Sequence, residues 1–512
     1  MIILFLVNIL VFILVLGLVI LIHELGHFLM AKKAGILCHE FALGMGPILY
    51  SKKIGETLYS IRAIPIGGFV MMAGEEVNDE MIKIGQAIKV KKNANGLVDE
   101  IILDVNDPHY EDCEAIDVFF VDLKGRDEGP LMINEHRVDT QAYYIMKGKR
   151  LQIAPYNRSF ESKTISQRFG AIFAGPFMNF VLAFVLFVLI AFIVGFPVID
   201  SNELGDVRDN SPASQLFEIG DRVISVGDTE VDSWVEFVNA MARYEGTRNL
   251  PIEVLRGDRE IAFTINPRIY IYSIGISSHI DTSDVVRIGP VIDGTLADQA
   301  GFLSDDVIVA VDGTDINDWA TFIQIMKANT AGNTMQFTLL RGSDTVELNI
   351  QPYDEGLLNA QGVRIVESLI GVSPTTERAF LRSFVSGAVG VRNSATMIFD
   401  TLRLLINNDR VGVGDLAGPI GIYTITSQAL AQGFVVFLNW TALLSVNLGI
   451  LNLLPIPALD GGRLVFLGYE GITKRKVNKR VENTLHLVMF MLLMGLFIFV
   501  AYNDILRLFN LR

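Results

Sequence analysis

Four stretches of this chain are apolar for long enough to cross the hydrocarbon core of a bilayer, which takes about 20 residues of helix. From Met1 to Ile22 the only polar side chain is Asn8, and from Ala171 to Pro197 the only strongly polar one is Asn179. A third run, Gly433 to Leu454, carries Asn439, Asn447 and Asn452 and stops against Pro455 and Pro457, while a fourth extends from Leu485 to Tyr502. In lipid such a run must satisfy its own backbone, so the pattern predicts a multi-pass α-helical membrane protein with about four spans. Composition agrees: 51% of the 512 residues are hydrophobic and 19% charged, against about 25% charged in soluble chains. The first run has neither the basic start nor the small-residue cleavage site of a signal peptide and is expected to remain as a span.

Lys and Arg near the span ends set the expected orientation. Lys32 and Lys33 follow the first run, Lys163 and Arg168 precede the second, and Arg463, Lys474, Arg475, Lys476, Lys479 and Arg480 lie between the third and fourth. Pro197 to Asp206 and Gly412 to Gln432 hold neither residue type. Segments 28–170 and 455–484 therefore read as cytosolic, and 198–430 and both chain ends as extracytoplasmic. The formal charge of −15 argues against nucleic-acid binding. Residues 75–139 carry 17 acidic and 7 basic side chains, most of that excess. With strand-like Glu100–Asp104 and Val118–Val121, the segment 75–160 reads as an acidic, β-rich cytosolic insertion. Cys38 and Cys113 are too few for a disulfide framework and form no Cys-x-x-Cys zinc pattern.

The extracytoplasmic stretch repeats itself. Asp221, Val226, Trp234, Phe237, Arg256, Gly257 and Pro267 recur 85 residues later as Asp306, Val311, Trp319, Phe322, Arg341, Gly342 and Pro352. Two tandem α+β domains are expected at 198–270 and 281–355, each with short strands such as Arg222–Val226, Ile252–Leu255 and Ile261–Ile265 around one amphipathic helix starting near Trp234 or Trp319. Val311-Asp312-Gly313-Thr314, with Asp318 and Phe322 downstream, resembles PDZ domains of bacterial proteases, which bind extended chain ends at a sheet edge. Two spacers without a ligand are the alternative. Residues 356–430 are expected to connect this pair to the third span, with an amphipathic helix over Pro374–Asn408.

The chemistry begins where the first run ends, at His23-Glu24-Leu25-Gly26-His27. Histidines four apart share a helical face and can reach one zinc ion, and Glu24 beside them can move a proton. Ionisable groups at the end of an apolar span are costly unless they serve a site. A catalytic zinc needs a third protein ligand. Among the remaining histidines, His39, His109, His136, His279 and His486, none is favoured by spacing. The better candidate is Asp460: Pro455 and Pro457 force the third span to unwind, and non-helical backbone at that depth is tolerated only inside protein or beside a wet cavity. The alternative is a turn in which Asp460 merely caps a helix.

The pair of motifs, His23-Glu24-Leu25-Gly26-His27 and Asn452-Leu453-Leu454-Pro455-Ile456-Pro457-Ala458-Leu459-Asp460-Gly461, resembles the site-2 protease family of intramembrane zinc metalloproteases, in its bacterial branch with PDZ domains. Phe41–Pro47, Gly67–Val70 and Ala174–Phe180 also look like family segments. The resemblance implies zinc held by His23, His27 and Asp460, with Glu24 as general base and acid. It further implies Asn452 and Gly67, Gly68 and Phe69 as substrate-binding residues, and a membrane-associated β-hairpin, for which Thr57–Val70 is the candidate. Its implied substrates are single-span membrane proteins, such as anti-sigma factors or remnant signal peptides, with the PDZ pair gating access. Two other readings remain: another membrane zincin acting on unfolded proteins, and a PDZ scaffold with an inactive site.

Overall fold

The computed structural model describes residues 2–75, 81–125, 129–146, 149–279, 285–291, 295–360, 363–407 and 416–508. They fall into two compact units, one comprising 1–189, 385–395 and 409–512, the other 190–384 and 396–408. Residue 281, where the second repeat was expected to start, and residues 412–415 lie outside the described residues.

In the first unit, four helices are long and apolar enough to cross a membrane: Phe5–Lys33 within the helix Ile2–Lys33, Ile165–Val194, Phe434–Leu453, and Arg480–Leu506 within Lys479–Leu508. The first continues through both histidines and stops where Gly35 adopts a left-handed backbone (φ 71°), with Ile36 N–H bonded to the Ala31 carbonyl. The second ends at Val194, short of Pro197, because Gly195 is left-handed (φ 78°) and Phe196–Pro197 forms a short strand. The third stops at Leu453, before Pro455, whose ring disfavours helical backbone in the residue ahead of it. A helix of 14 residues, Asp460–Thr473, begins at once after the turn. Gly461 and Gly462 permit this: a Cβ there would lie 2.1 Å from the Leu454 carbonyl oxygen and 2.4 Å from that of Ile456.

The expected hairpin differs in extent. Thr57–Met72 is one long strand, and its partner is Cys38–Ile54, which includes the Phe41–Pro47 segment. The ribbon folds back on itself. Ile54 to Tyr50 pairs with Thr57 to Ile61, whereas Phe41, Ala42 and Leu43 lie opposite both Tyr59–Ile61 and Gly68–Val70. Gly44 (φ 86°), Gly46 (φ 83°) and Gly67 (φ 80°) make the bends, leaving Gly68–Met72 as an outer strand. Arg62 reaches across the fold: it bonds Glu40 (Nη2–Oε1 2.6 Å) and the Gly46 carbonyl (2.8 Å).

The acidic insertion is a mixed sheet in which Val98–Ile102 runs parallel to His136–Met146, over a core including Ile88, Ile101, Val118 and Ile133. Val118–Phe120, expected within a strand, instead separates the strands Glu114–Asp117 and Val121–Asp122. At the junction with the first span, Glu56 bonds Lys32 and Arg158. Burial would raise its carboxyl, but these two cations hold it below the ordinary range.

In the second unit the repeat is literal. Strands 222–226, 229–230, 250–256 and 259–265 and helix Trp234–Arg243 recur at 307–311, 314–315, 335–341 and 344–350 and at Trp319–Ala328. Both sheets have the same strand order. The domain limits differ from those read in the sequence. Arg268–Ile271 pairs with Val366–Leu369, and Ile269, Ile271 and Val366 belong to the second core. Val372–Pro374 pairs with Leu204–Val207, and Ile370 enters the first core. The chain thus returns from the second repeat to complete the first, through strands too short for periodicity to reveal. Phe380–Asn407 follows as a helix.

Candidate metal centre

The first span carries His23, Glu24 and His27 on adjoining faces, all buried at 7, 9 and 7% exposure. The second span packs against them at very short range. A Cβ on Gly26 would lie 2.2 Å from the Ala174 carbonyl oxygen, and one on Gly175 would lie 2.2 Å from His27 Nε2. Only glycine at both positions lets the helices approach closely enough to use backbone and side-chain groups of the second span on the histidines.

Those groups fix the rings. His27 Nδ1 donates to the Ala171 carbonyl at 2.8 Å, leaving Nε2 with its lone pair free. His23 Nδ1 lies 3.2 Å from the Asn179 amide, which is fully buried and whose Oδ1 otherwise has no partner. Turning that amide over puts Oδ1 against His23 Nδ1–H and satisfies both atoms. The same turn frees His23 Nε2. Asn179 is itself seated by the third span, where Ser445 donates to its carbonyl at 2.8 Å.

Asp460 arrives from the turn after the third span. Its Oδ2 lies 3.2 Å from His23 Nε2 and 3.3 Å from His27 Nε2, and the two Nε2 atoms are 3.2 Å apart. Oδ2 accepts no hydrogen bond. Three electron-rich atoms facing one another in a buried place repel unless a cation lies among them. Their spacing fits one: donors about 2.0–2.1 Å from a tetrahedral zinc stand about 3.3 Å apart. Among the described residues no other group of three His, Cys, Asp or Glu side chains has this arrangement.

The triad opens on a cavity of about 490 Å³ whose wall includes Glu24, Gly67, Gly68, Phe69 and Asn452. Every site residue expected from the sequence therefore borders one space. Gly68 lies so close to the first span that a Cβ would stand 2.9 Å from Glu24 Cγ. His109, His136 and His279 are elsewhere, near Asp107, Glu114 and Asp305 respectively. No role at the site was expected for Ala171, Asn179 or Arg463, and His486 was not favoured as a third ligand. Asn179 had a visible signal, as the one strongly polar side chain in an apolar span. Arg463 also lines the cavity and pairs with Glu75.

Two buried imidazoles and a partly buried carboxylate, with the further carboxylate of Glu24 beside them, on a frame of helices long and apolar enough to cross a membrane, make the donor set of a zinc hydrolase. The family model of peptidase family M50 matches residues 11–496. The chain is 34% identical over 508 residues to zinc metalloprotease RasP of Oceanobacillus iheyensis, covering 97% of this chain and 98% of that one. It is 31% identical over 511 residues to the regulator of sigma-W protease RasP of Bacillus subtilis, covering 98 and 99%. It is 30% identical over 509 residues to zinc metalloprotease RasP of Geobacillus kaustophilus, covering 98% of each. The chain belongs to peptidase family M50, the site-2 proteases, and is a zinc metalloprotease.

Proposed function

We propose that this protein hydrolyses peptide bonds within the transmembrane segments of single-span membrane proteins, with zinc held by His23, His27 and Asp460. The observation that carries the reading is the 3.2–3.3 Å triangle of donor atoms joining two spans distant in sequence. Zinc bound there supplies a Lewis acid that acidifies water and polarises a scissile carbonyl. Glu24 takes a proton from the attacking water and returns it to the leaving amine. Ala171 and Asn179 hold the two imidazoles in the tautomers that donate through Nε2.

A transmembrane helix must be unwound before its peptide bonds are accessible. The outer strand around Gly68 and Phe69 offers backbone groups that replace the lost helical hydrogen bonds, and Asn452 adds an amide on the same wall. The Lys and Arg pattern supports an active site near the cytosolic side and an extracytoplasmic repeat pair. That pair is read as two PDZ domains that hold back substrates with intact ectodomains. The regulator name of the Bacillus subtilis relative supports a signalling substrate such as an anti-sigma factor.

The test is cleavage of a single-span substrate in proteoliposomes. Glu24→Gln is expected to lower turnover by at least about 10³-fold while zinc stays bound, since it removes the proton carrier but no metal donor. Full activity in Glu24→Gln removes the proposed base.

A further inference from the structure

We propose that His486, from the fourth span, is a positioning residue for the metal centre: it fixes the backbone turn that presents Asp460 to His23 and His27. The inference rests on reading Asp460 as a zinc donor.

Ala458, two residues before Asp460, has φ 84°. Six other non-glycine described residues have positive φ: Asn134, Asn210, Asn249, Asp305, Asp312 and Lys474. Five of those are Asn or Asp, whose short polar side chains bond locally and tolerate that region. Ala458 has no such means, so a contact from outside the turn must hold it there. Its N–H supplies that contact, donating to His486 Nδ1 at 2.8 Å. The turn's own bonds, Ile456 N–H to Leu454 O at 2.7 Å and Leu459 N–H to Ile456 O at 3.1 Å, leave the Ala458 N–H free for it.

The ring is held on its other sides. It packs edge-on against Phe466 (centroids 5.7 Å apart, 65° between planes), which lies on the helix that Asp460 begins. Glu482, one turn earlier on the fourth span, places Oε1 4.0 Å from Nε2. That is the ring nitrogen that must carry the proton when Nδ1 accepts. His486 lines the cavity that holds the triad, yet with Nδ1 engaged it does not belong to the triangle of donors. Its contribution passes through the Ala458 backbone. The fourth span, 28 residues further along the chain, thereby becomes part of the zinc site.

The experiment uses the full chain in detergent micelles and reads zinc retention against a chelator, alongside kcat and KM for a single-span substrate. Four variants are compared with wild type. His486→Phe keeps the ring's bulk against Phe466 and removes the acceptor. It is expected to weaken zinc retention and lower kcat by roughly ten-fold, with KM little changed, the scale seen when an outer-shell partner is lost. His486→Asn keeps an acceptor and should retain most function. In Ala458→Gly/His486→Phe, glycine adopts the positive φ unaided, and zinc retention should return to within about three-fold of wild type. Asp460→Ala is the reference for losing the donor itself. Wild-type behaviour in His486→Phe, or no rescue by Ala458→Gly in a monodisperse protein, overturns the role of His486. Undiminished zinc retention in Asp460→Ala instead overturns the underlying assignment of the donor.

Discussion

Two kinds of carboxylate with oxygens shut away from solvent occur in this molecule, and they differ in whether their partners suffice. In the repeats, Asp221 and Asp306 are each 1% exposed and fully answered. Asp306 accepts from Arg341 Nε and Nη2, both at 2.8 Å, and from Leu303 N–H at 2.8 Å. Asp221 does the same with Arg256 and with Glu218 N–H. In the membrane unit, Asp460 faces two imidazole nitrogens, and its Oδ2 has no donor. A carboxylate whose hydrogen bonds are complete is part of the scaffold; one left short beside other donors marks a place for a cation.

The largest effect should follow from removing the unanswered carboxylate. Asp460→Ala deletes one of three donors, and both zinc binding and cleavage are expected to fall by at least about 10³-fold while the protein remains monodisperse. Retained zinc and activity would break the contrast. Next is the answered carboxylate. Asp306→Ala strands Arg341, which keeps 34% exposure, so the expected loss is about 2–3 kcal/mol of stability in the repeat, below the range for a fully buried pair. Thermal unfolding measures this, and zinc content should not change. Loss of zinc in that variant would show that the two carboxylates are not separable in role.

The smallest effect concerns a third pair. Arg168 on the second span donates to both oxygens of Glu470, at 2.9 and 2.8 Å, and those bonds hold the Glu470 carboxyl below its ordinary value of 4.5. With a lowered folded-state value, the stabilisation is complete above pH 4.5 and is lost as acid carries the pH from there down through the lowered folded-state value. It is worth on the order of 1–2 kcal/mol for a bidentate pair whose side chains are 11 and 18% exposed. Acid melting curves of wild type and Arg168→Gln should therefore converge as pH drops below 4.5; a constant gap between them would contradict the assignment.

Much of the site was legible because its chemistry is written in residue types that lipid excludes. His23, Glu24 and His27 at the end of an apolar run, and Asp460 after two prolines, announce themselves by their cost. The repeat was legible because 85-residue identities such as Asp221 and Asp306 need no periodicity to be seen. What escaped depends on distance in the chain. The partner of Thr57–Met72 lies across a folded ribbon with several shifts of register, which alternation in one strand cannot specify. Ala171 acts through its carbonyl, which every residue possesses. The short strands at 366–369 and 372–374 take their identity from the sheets they join.

The central claim is that two histidines of the first span and the carboxylate following the third share one zinc ion. X-ray absorption at the zinc edge, on the purified chain, tests it most directly. The expected first shell contains two imidazole nitrogens and a carboxylate oxygen, all at about 2.0–2.1 Å, with the oxygen component reduced in Asp460→Ala. A shell containing sulfur at about 2.3 Å, or one that Asp460→Ala leaves unaltered, would contradict it.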